Sequence, residues 1–149
     1  MKNNAFIFDI DGTLSDTARR RHHVEKSPKN WDAFFADQIN DDALPTAEIL
    51  RKLFDHTSYE ILIVTGRREE YREVTQQWLN KHRLNCTKLF MRPANDKRDD
   101  TNIKLEIYNN YIKLHYNVLA VFEDRLRLVR MWREQGLFVF NCNQTDEDF

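Results

Sequence analysis

The sequence predicts an α/β fold: a Rossmann-like three-layer sandwich around a central parallel sheet of about five strands. Three observations carry that expectation. Runs of strand length are almost wholly apolar, as in strands covered on both faces. The stretches between them repeat apolar residues at helical spacing. Acidic or hydroxyl-bearing residues stand at the ends of several runs, where open parallel sheets gather their ligands.

The first strand is Phe6-Ile7-Phe8, ending at Asp9, with Asp11, Gly12 and Thr13 breaking the pattern. Residues 15–44 do not fit the alternation. They hold a basic run, Arg19 to His23, and then Trp31, Phe34 and Phe35 at helical spacing. The stretch is too short for a separate domain, so it reads as a small flap or cap inserted after the first strand, within a single domain of residues 1–149. Its basic run reads as a solvated face, and its aromatics as a small cap core. Pro45 suits a first helical residue, followed by Ile49, Leu50, Leu53 and Phe54 on one stripe. Residues 59–65 form the second strand. Residues 68–82 form a helix with Tyr71, Val74, Trp78 and Leu79 inward. A weaker strand covers residues 89–91, and a helix over residues 100–115 points Ile103, Ile107, Tyr111 and Leu114 to the core. Residues 118–122 are a buried strand, residues 125–135 a helix stopped by Gly136, and residues 137–140 the last strand.

Composition narrows the function classes. A chain of 149 residues with 41% hydrophobic content can bury a core, which excludes a disordered chain. A formal charge of −1 excludes a nucleic-acid footprint spread over the whole surface, though not a local basic patch. Two cysteines build no disulfide framework. Cys86 and Cys142 flank strands expected at opposite sheet edges, roughly 19 Å apart at the usual strand spacing, beyond the reach of a bridge. No apolar run is long enough to span a membrane, and the chain enters its first strand without a signal-like segment. The expectation is a cytoplasmic protein with no membrane association and no obligate protein partner.

The chemistry concentrates at the predicted strand ends. Asp9 and Asp11 leave the same face if the strand continues. Two acids there are costly unless a cation neutralises them, and hard oxygen ligands suit Mg²⁺. Backbone N–H groups of the Asp11-Gly12-Thr13 turn can form an anion nest. Thr65-Gly66-Arg67 ends the second strand, Lys104 lies early in a helix, and Glu123-Asp124-Arg125 ends the strand at 118–122. Taken singly, Thr65 could be a strand end, Lys104 a solvated residue and the acidic pair a helix cap.

In this order, the four motifs resemble the haloacid dehalogenase superfamily of phosphohydrolases. The resemblance implies that Asp9 attacks phosphorus to form an aspartyl-phosphate, and that Asp11 serves as general acid and base. It implies Mg²⁺ held by Asp9, the Asp11 carbonyl and Asp124, with Glu123 a further candidate ligand. Thr65 and Lys104 would contact the phosphoryl group, and Gly12 and Thr13 would cradle it. A narrower resemblance, to the 3′-phosphatase half of phage-type polynucleotide kinase and its single-domain relatives, covers nearly the whole chain. It rests on Met91-Arg92-Pro93, the Asp96 to Asp100 run, Lys104, Glu123-Asp124-Arg125, Met131-Trp132-Arg133 and Asp148-Phe149. In the flap it is carried by His22 to Glu25 and Asn30 to Phe34. It implies removal of a 3′-phosphate from a nucleotide or nucleic-acid end, with Gly66, Arg67 and Arg125 near the substrate. The chain departs from that family in having Glu123 where two Asp are common. No phosphate-binding Gly-x-x-x-x-Gly-Lys-Ser/Thr loop occurs, so 5′-phosphorylation is not expected. The alternatives are a 5′-nucleotidase or general small-phosphate phosphatase of the same fold, and a catalytically dead binding protein. A short flap suits a polymer end better than an engulfed metabolite.

Overall fold

The computed structural model describes all 149 residues. In chain order the elements are β1 (Asn3–Phe8), β2 (Ser15–Asp16), α1 (His22–Glu25), α2 (Trp31–Ala36), β3 (Asp42–Ala43), α3 (Thr46–His56), β4 (Glu60–Arg68), α4 (Arg72–Lys81), β5 (Lys88–Arg92), α5 (Asp100–Ile107), β6 (Tyr116–Glu123), α6 (Leu126–Glu134) and β7 (Val139–Asn141). Five of the strands form one parallel sheet in the order β5-β4-β1-β6-β7. The most apolar strands take the middle, because only there are both faces covered.

Side-chain alternation along β4 divides the core. Ile61 and Ile63 join Phe8, Ile10, Leu50, Trp78 and Leu79 on the side of α3 and α4. Leu62 and Val64 join Ile7, Val121, Ile103, Val129 and Trp132 on the side of α5 and α6. Trp78 and Trp132 are fully buried, one on each side. Burying each such side chain contributes on the order of 1.5–3 kcal/mol. This packing fixes the height at which β1, β4 and β6 end, and their ends carry the site.

The excursion between β1 and α3 is tied at its neck. Strands β2 and β3 pair antiparallel, Ser15 opposite Ala43 and Asp16 opposite Asp42, so residues between them stand over the strand ends as a flap. The sequence pattern did not reveal this pair, since two-residue strands leave no periodicity.

Two expectations need correction. The helix expected over residues 100–115 stops being α-helical at Ile107 and continues as a π-helical turn, Tyr108–Ile112. The Lys113 N–H donates to the Tyr108 carbonyl at 2.8 Å. The wider turn advances the inward face by one residue. Tyr108 and Ile112 are therefore buried, while Tyr111 and Leu114 are 56% and 73% exposed. The helix expected from residue 68 begins at Arg72, because β4 runs on through Arg68 and a 3₁₀ turn follows. Cys86 precedes one edge strand and Cys142 follows the other, and both are free thiols. No helix is long and apolar enough to cross a membrane.

Candidate active site

Asp9 follows β1 directly, and its N–H donates to the Phe122 carbonyl at 3.0 Å, holding it beside β6. Glu123 is the last residue of β6, and Asp124 comes next. From α5, Lys104 reaches across and donates from Nζ to Asp9 Oδ1 and to Glu123 Oε2, each at 2.8 Å. Carboxylate oxygens of Asp9, Glu123 and Asp124 lie within 4.8 Å of one another. Three buried acids thus face one buried ammonium. Burial opposes the charge on Lys104, but Asp9 and Glu123 overcome it and raise its proton affinity. Burial, and then the neighbouring carboxylates, push Asp124 upward. Glu123 is also raised, by burial and by Asp9, against the pull of Lys104. A surplus of buried negative charge with oxygen-only donors fits a hard divalent cation such as Mg²⁺.

Gly12 is required twice over. Its φ is +83°, and a Cβ there would come within 2.0 Å of Asp124 Oδ2. Thr13 is fully buried and its hydroxyl faces the acids, 3.3 Å from Asp9 Oδ2 and 3.4 Å from Asp124 Oδ1. Its side chain thus braces the carboxylates.

Asp11 lies apart from the acid cluster. Arg67 binds its carboxylate through Nε at 3.0 Å and Nη2 at 2.6 Å, and Arg20 binds it through Nη2 at 2.5 Å. Burial alone would raise the Asp11 carboxyl; the Arg67 and Arg20 guanidiniums outweigh it and hold it well below the usual range. This corrects the reading of residues 19–23 as a solvated face at one position, Arg20, while Arg19, Arg21 and His22 are exposed as expected. Arg20 is fully buried, its Nε on both Asp41 oxygens at 3.0 and 2.8 Å and its Nη1 on the Phe34 carbonyl at 3.1 Å. Ser15 donates to Asp41 at 2.6 Å. Arg67 is held by Gln38, which in turn accepts from Thr75 at 2.6 Å. Arg20, Gln38 and Asp41 were missed from sequence, and nothing in their local spacing marks them.

The remaining candidates occupy the opposite wall. Thr65 is buried, and its hydroxyl oxygen accepts from the Arg67 N–H at 3.1 Å, leaving its own hydrogen free to donate. Gly66 lies against Asp100; a Cβ there would be 2.6 Å from Asp100 Oδ1. Asp100, which the sequence marked only as the end of the Asp96 to Asp100 run and gave no role, is paired with Arg92 and with Arg125, the latter at 2.9 Å. Arg125 thus orients on Asp100 and makes no bond to the acidic pair beside it. The residues expected from the sequence, Thr13 excepted, line one cleft of about 900 Å³, roofed by the flap aromatics Trp31, Phe34 and Phe35, while Arg20, Gln38 and Asp41 stand behind that lining.

Residues 3–148 match the family model of the polynucleotide kinase PNKP phosphatase domain. A protein of Autographa californica nuclear polyhedrosis virus, described as a bifunctional polynucleotide kinase/RNA ligase, is 34% identical over 140 residues. That match takes 92% of this chain and 19% of the viral protein. A chain of the Pnkp1/Rnl/Hen1 complex superposes with a TM-score of 0.83 at 32% identity, over 98% of this chain and 47% of that one. The tungstate-bound class C acid phosphatase of Bacillus anthracis shares the fold, with a TM-score of 0.68 at 13% identity over 95% of this chain and 67% of its own. This chain therefore spans less than half the length of the relatives that match it at over 30% identity. With its acids gathered where the central parallel strands end, the chain belongs to the family of polynucleotide kinase phosphatase domains, phosphoric monoester hydrolases of the haloacid dehalogenase type.

Proposed function

We propose that this chain is a Mg²⁺-dependent phosphomonoesterase that removes the 3′-phosphate from nucleic-acid ends through an aspartyl-phosphate on Asp9. The observation that carries the proposal is the placing of Asp9 between Lys104 and the acidic pair at the ends of adjacent central strands. Lys104 aligns the Asp9 carboxylate, as a nucleophile requires. A carboxylate oxygen of Asp9 bonds to phosphorus as the bond from phosphorus to the 3′-oxygen breaks. The leaving oxygen takes up a proton, and water then cleaves the acyl phosphate to release inorganic phosphate and restore Asp9. Thr65 donates its hydroxyl hydrogen to a phosphoryl oxygen, and Lys104 supplies a compact positive charge. Asp9, Asp124 and the Asp11 carbonyl would hold Mg²⁺, which when bound neutralises charge on the transferring group.

Asp11 moves the protons. Its pairing with Arg20 and Arg67 keeps it ionised and so open to a proton from the attacking water, while weakening it as a base. Donation to the leaving oxygen becomes favourable as the substrate phosphate competes for the Arg67 guanidinium, which lines the cleft. The matched chain of the Pnkp1/Rnl/Hen1 complex was solved within an RNA repair complex, which supports a nucleic-acid end as substrate.

A phosphate-release panel tests the proposal: 3′-phosphorylated oligonucleotides, nucleoside 3′-monophosphates and nucleoside 5′-monophosphates, with Mg²⁺ and with chelator. Fastest release from 3′ ends, lost on chelation, is expected. Faster release from 5′-monophosphates would establish the 5′-nucleotidase reading instead. Asp124→Asn should weaken the Mg²⁺ dependence most, and an unchanged requirement would move the ligand role to Glu123.

A further inference from the structure

We propose that the flap carries a stacking platform on which Trp31 receives the unpaired base of the terminal nucleotide. Arg21, Lys29 and Lys97 take the adjoining backbone phosphate. The inference rests on the 3′-phosphatase reading and narrows the substrate to a single-stranded end.

Helix α2 presents three rings that join neither core. Trp31 packs on Phe35 at 6.0 Å with 25° between planes and meets Phe34 edge-on at 5.6 Å. An amphipathic helix would normally turn its largest apolar side chain inward. Here Trp31 is 42% exposed and lines the cleft. The cluster is anchored at its inner end, where the Arg20 guanidinium lies 4.2 Å from the Phe34 ring centre while binding Asp11. One side chain thus separates the platform from the phosphoryl site. Tyr71 fixes the outer side, packing on Phe35 at 5.3 Å and donating to Asp32 at 2.8 Å.

Charge alternates with the rings. Lys29 Nζ lies 5.7 Å from the Trp31 ring and Arg68 lies 5.4 Å from Phe35. Arg98 and Arg127, on the same cleft, are each held by a carboxylate. Arg21, Lys29 and Lys97 line it without an acidic partner, so their charge is available to a ligand. Arg68 is shared with Asp32 and Glu70, but aromatic faces with the free cations Arg21, Lys29 and Lys97 on the same cleft match a base followed by a phosphate, and every base has a face to stack. A paired base would keep its faces inside a duplex, which is why the fit is to an unpaired end.

Two single-stranded 3′-phosphorylated oligonucleotides test the platform, alike except that one ends in a stable abasic tetrahydrofuran residue. The unsubstituted protein should favour the base-bearing end about 5- to 100-fold in kcat/KM, mostly through KM. Trp31→Ala should collapse that ratio towards one, and Trp31→Phe should restore most of it. A ratio near one in the unsubstituted protein, or a ratio untouched by Trp31→Ala, would overturn the platform. Binding to the Asp9→Asn protein separates this idea from the phosphatase reading. Trp78 and Trp132 are fully buried, so quenching of tryptophan fluorescence by the base-bearing strand reports Trp31. Quenching by that strand and not by the abasic one is expected. Its absence overturns the platform even if phosphate is released. Quenching without phosphate release by the unsubstituted protein would sink the phosphatase reading and leave the platform standing.

Discussion

The floor of the cleft and its flap treat buried charge in opposite ways. On the floor, Lys104 faces Asp9, Glu123 and Asp124, and two negative charges go unanswered. In the flap network, Arg20 and Arg67 face Asp11 and Asp41, and the charges balance. Unpaired buried charge costs stability and is retained where a ligand repays it; a balanced, hydrogen-bonded network can hold structure by itself. The floor is accordingly the part whose charge suits a cation, as the proposed function requires, and the flap the part that closes on its own. Asp11 joins them, since it stands on the floor's first loop and is answered from the flap and β4.

The sharpest way to break this comparison is Asp9→Asn. Turnover of a 3′-phosphorylated oligonucleotide should fall on the order of 10⁴- to 10⁶-fold, as for loss of a nucleophile. Removing one negative charge from an over-negative floor should leave the Tm unchanged or raise it. A drop of several degrees would mean that Asp9 is chiefly a partner for Lys104, and the contrast between floor and flap would fail.

The flap predicts the reverse. Arg20 and Asp41 have no exposed side-chain surface, so Arg20→Ala leaves a buried carboxylate unpaired. The expected cost is about 3–5 kcal/mol, read by denaturant melt. Arg20→Met with Asp41→Leu should recover most of that stability, since an apolar pair of similar volume often replaces a buried ion pair without loss. Turnover should stay about 100-fold down, because Asp11 still lacks one guanidinium. Recovery of turnover together with stability would make Arg20 purely a structural strut.

The same division decides what could be read from the sequence. Asp9, Asp11 and Gly12 are legible because a strand end and a glycine turn are local patterns, and Glu123 with Asp124 closes a strand in the same way. The parallel sheet followed from strands alternating with helices, and its two edge strands from the usual winding of such sheets. Arg20 was not legible: it is one of five basic residues in a row, and only the pairing of β2 with β3 decides which of them turns inward. Its partner Asp41 lies 21 residues away across irregular chain. Asp100 was hidden by its neighbour. Two acids stood at the start of a helix, and Asp99 is the one that caps it, accepting from the Thr101 N–H at 2.9 Å. Asp100 was thereby freed to face Arg92 and Arg125. Tyr111 and Leu114 misled because a π-helical turn leaves no mark in a spacing count.

The smallest expected effect is the finest probe of the floor. Glu123 is surrounded by donors: Lys104 at 2.8 Å, Trp132 Nε1 at 3.4 Å and the Asp124 N–H at 3.3 Å. Glu123→Gln keeps the shape but turns an amide NH₂ towards one of them. It also halves the floor's unanswered charge. The apparent affinity for Mg²⁺ should therefore weaken about 10- to 100-fold, the range seen when a group supporting metal ligands is removed. At saturating Mg²⁺, kcat should fall only a few-fold, because Asp9 and Lys104 keep their contact. A magnesium titration of turnover separates the two quantities. A kcat loss at saturation as deep as that of Asp9→Asn would place Glu123 among the groups that touch the metal. A few-fold loss with a shifted midpoint would leave it where the hydrogen bonds put it, as the anchor that aims Lys104.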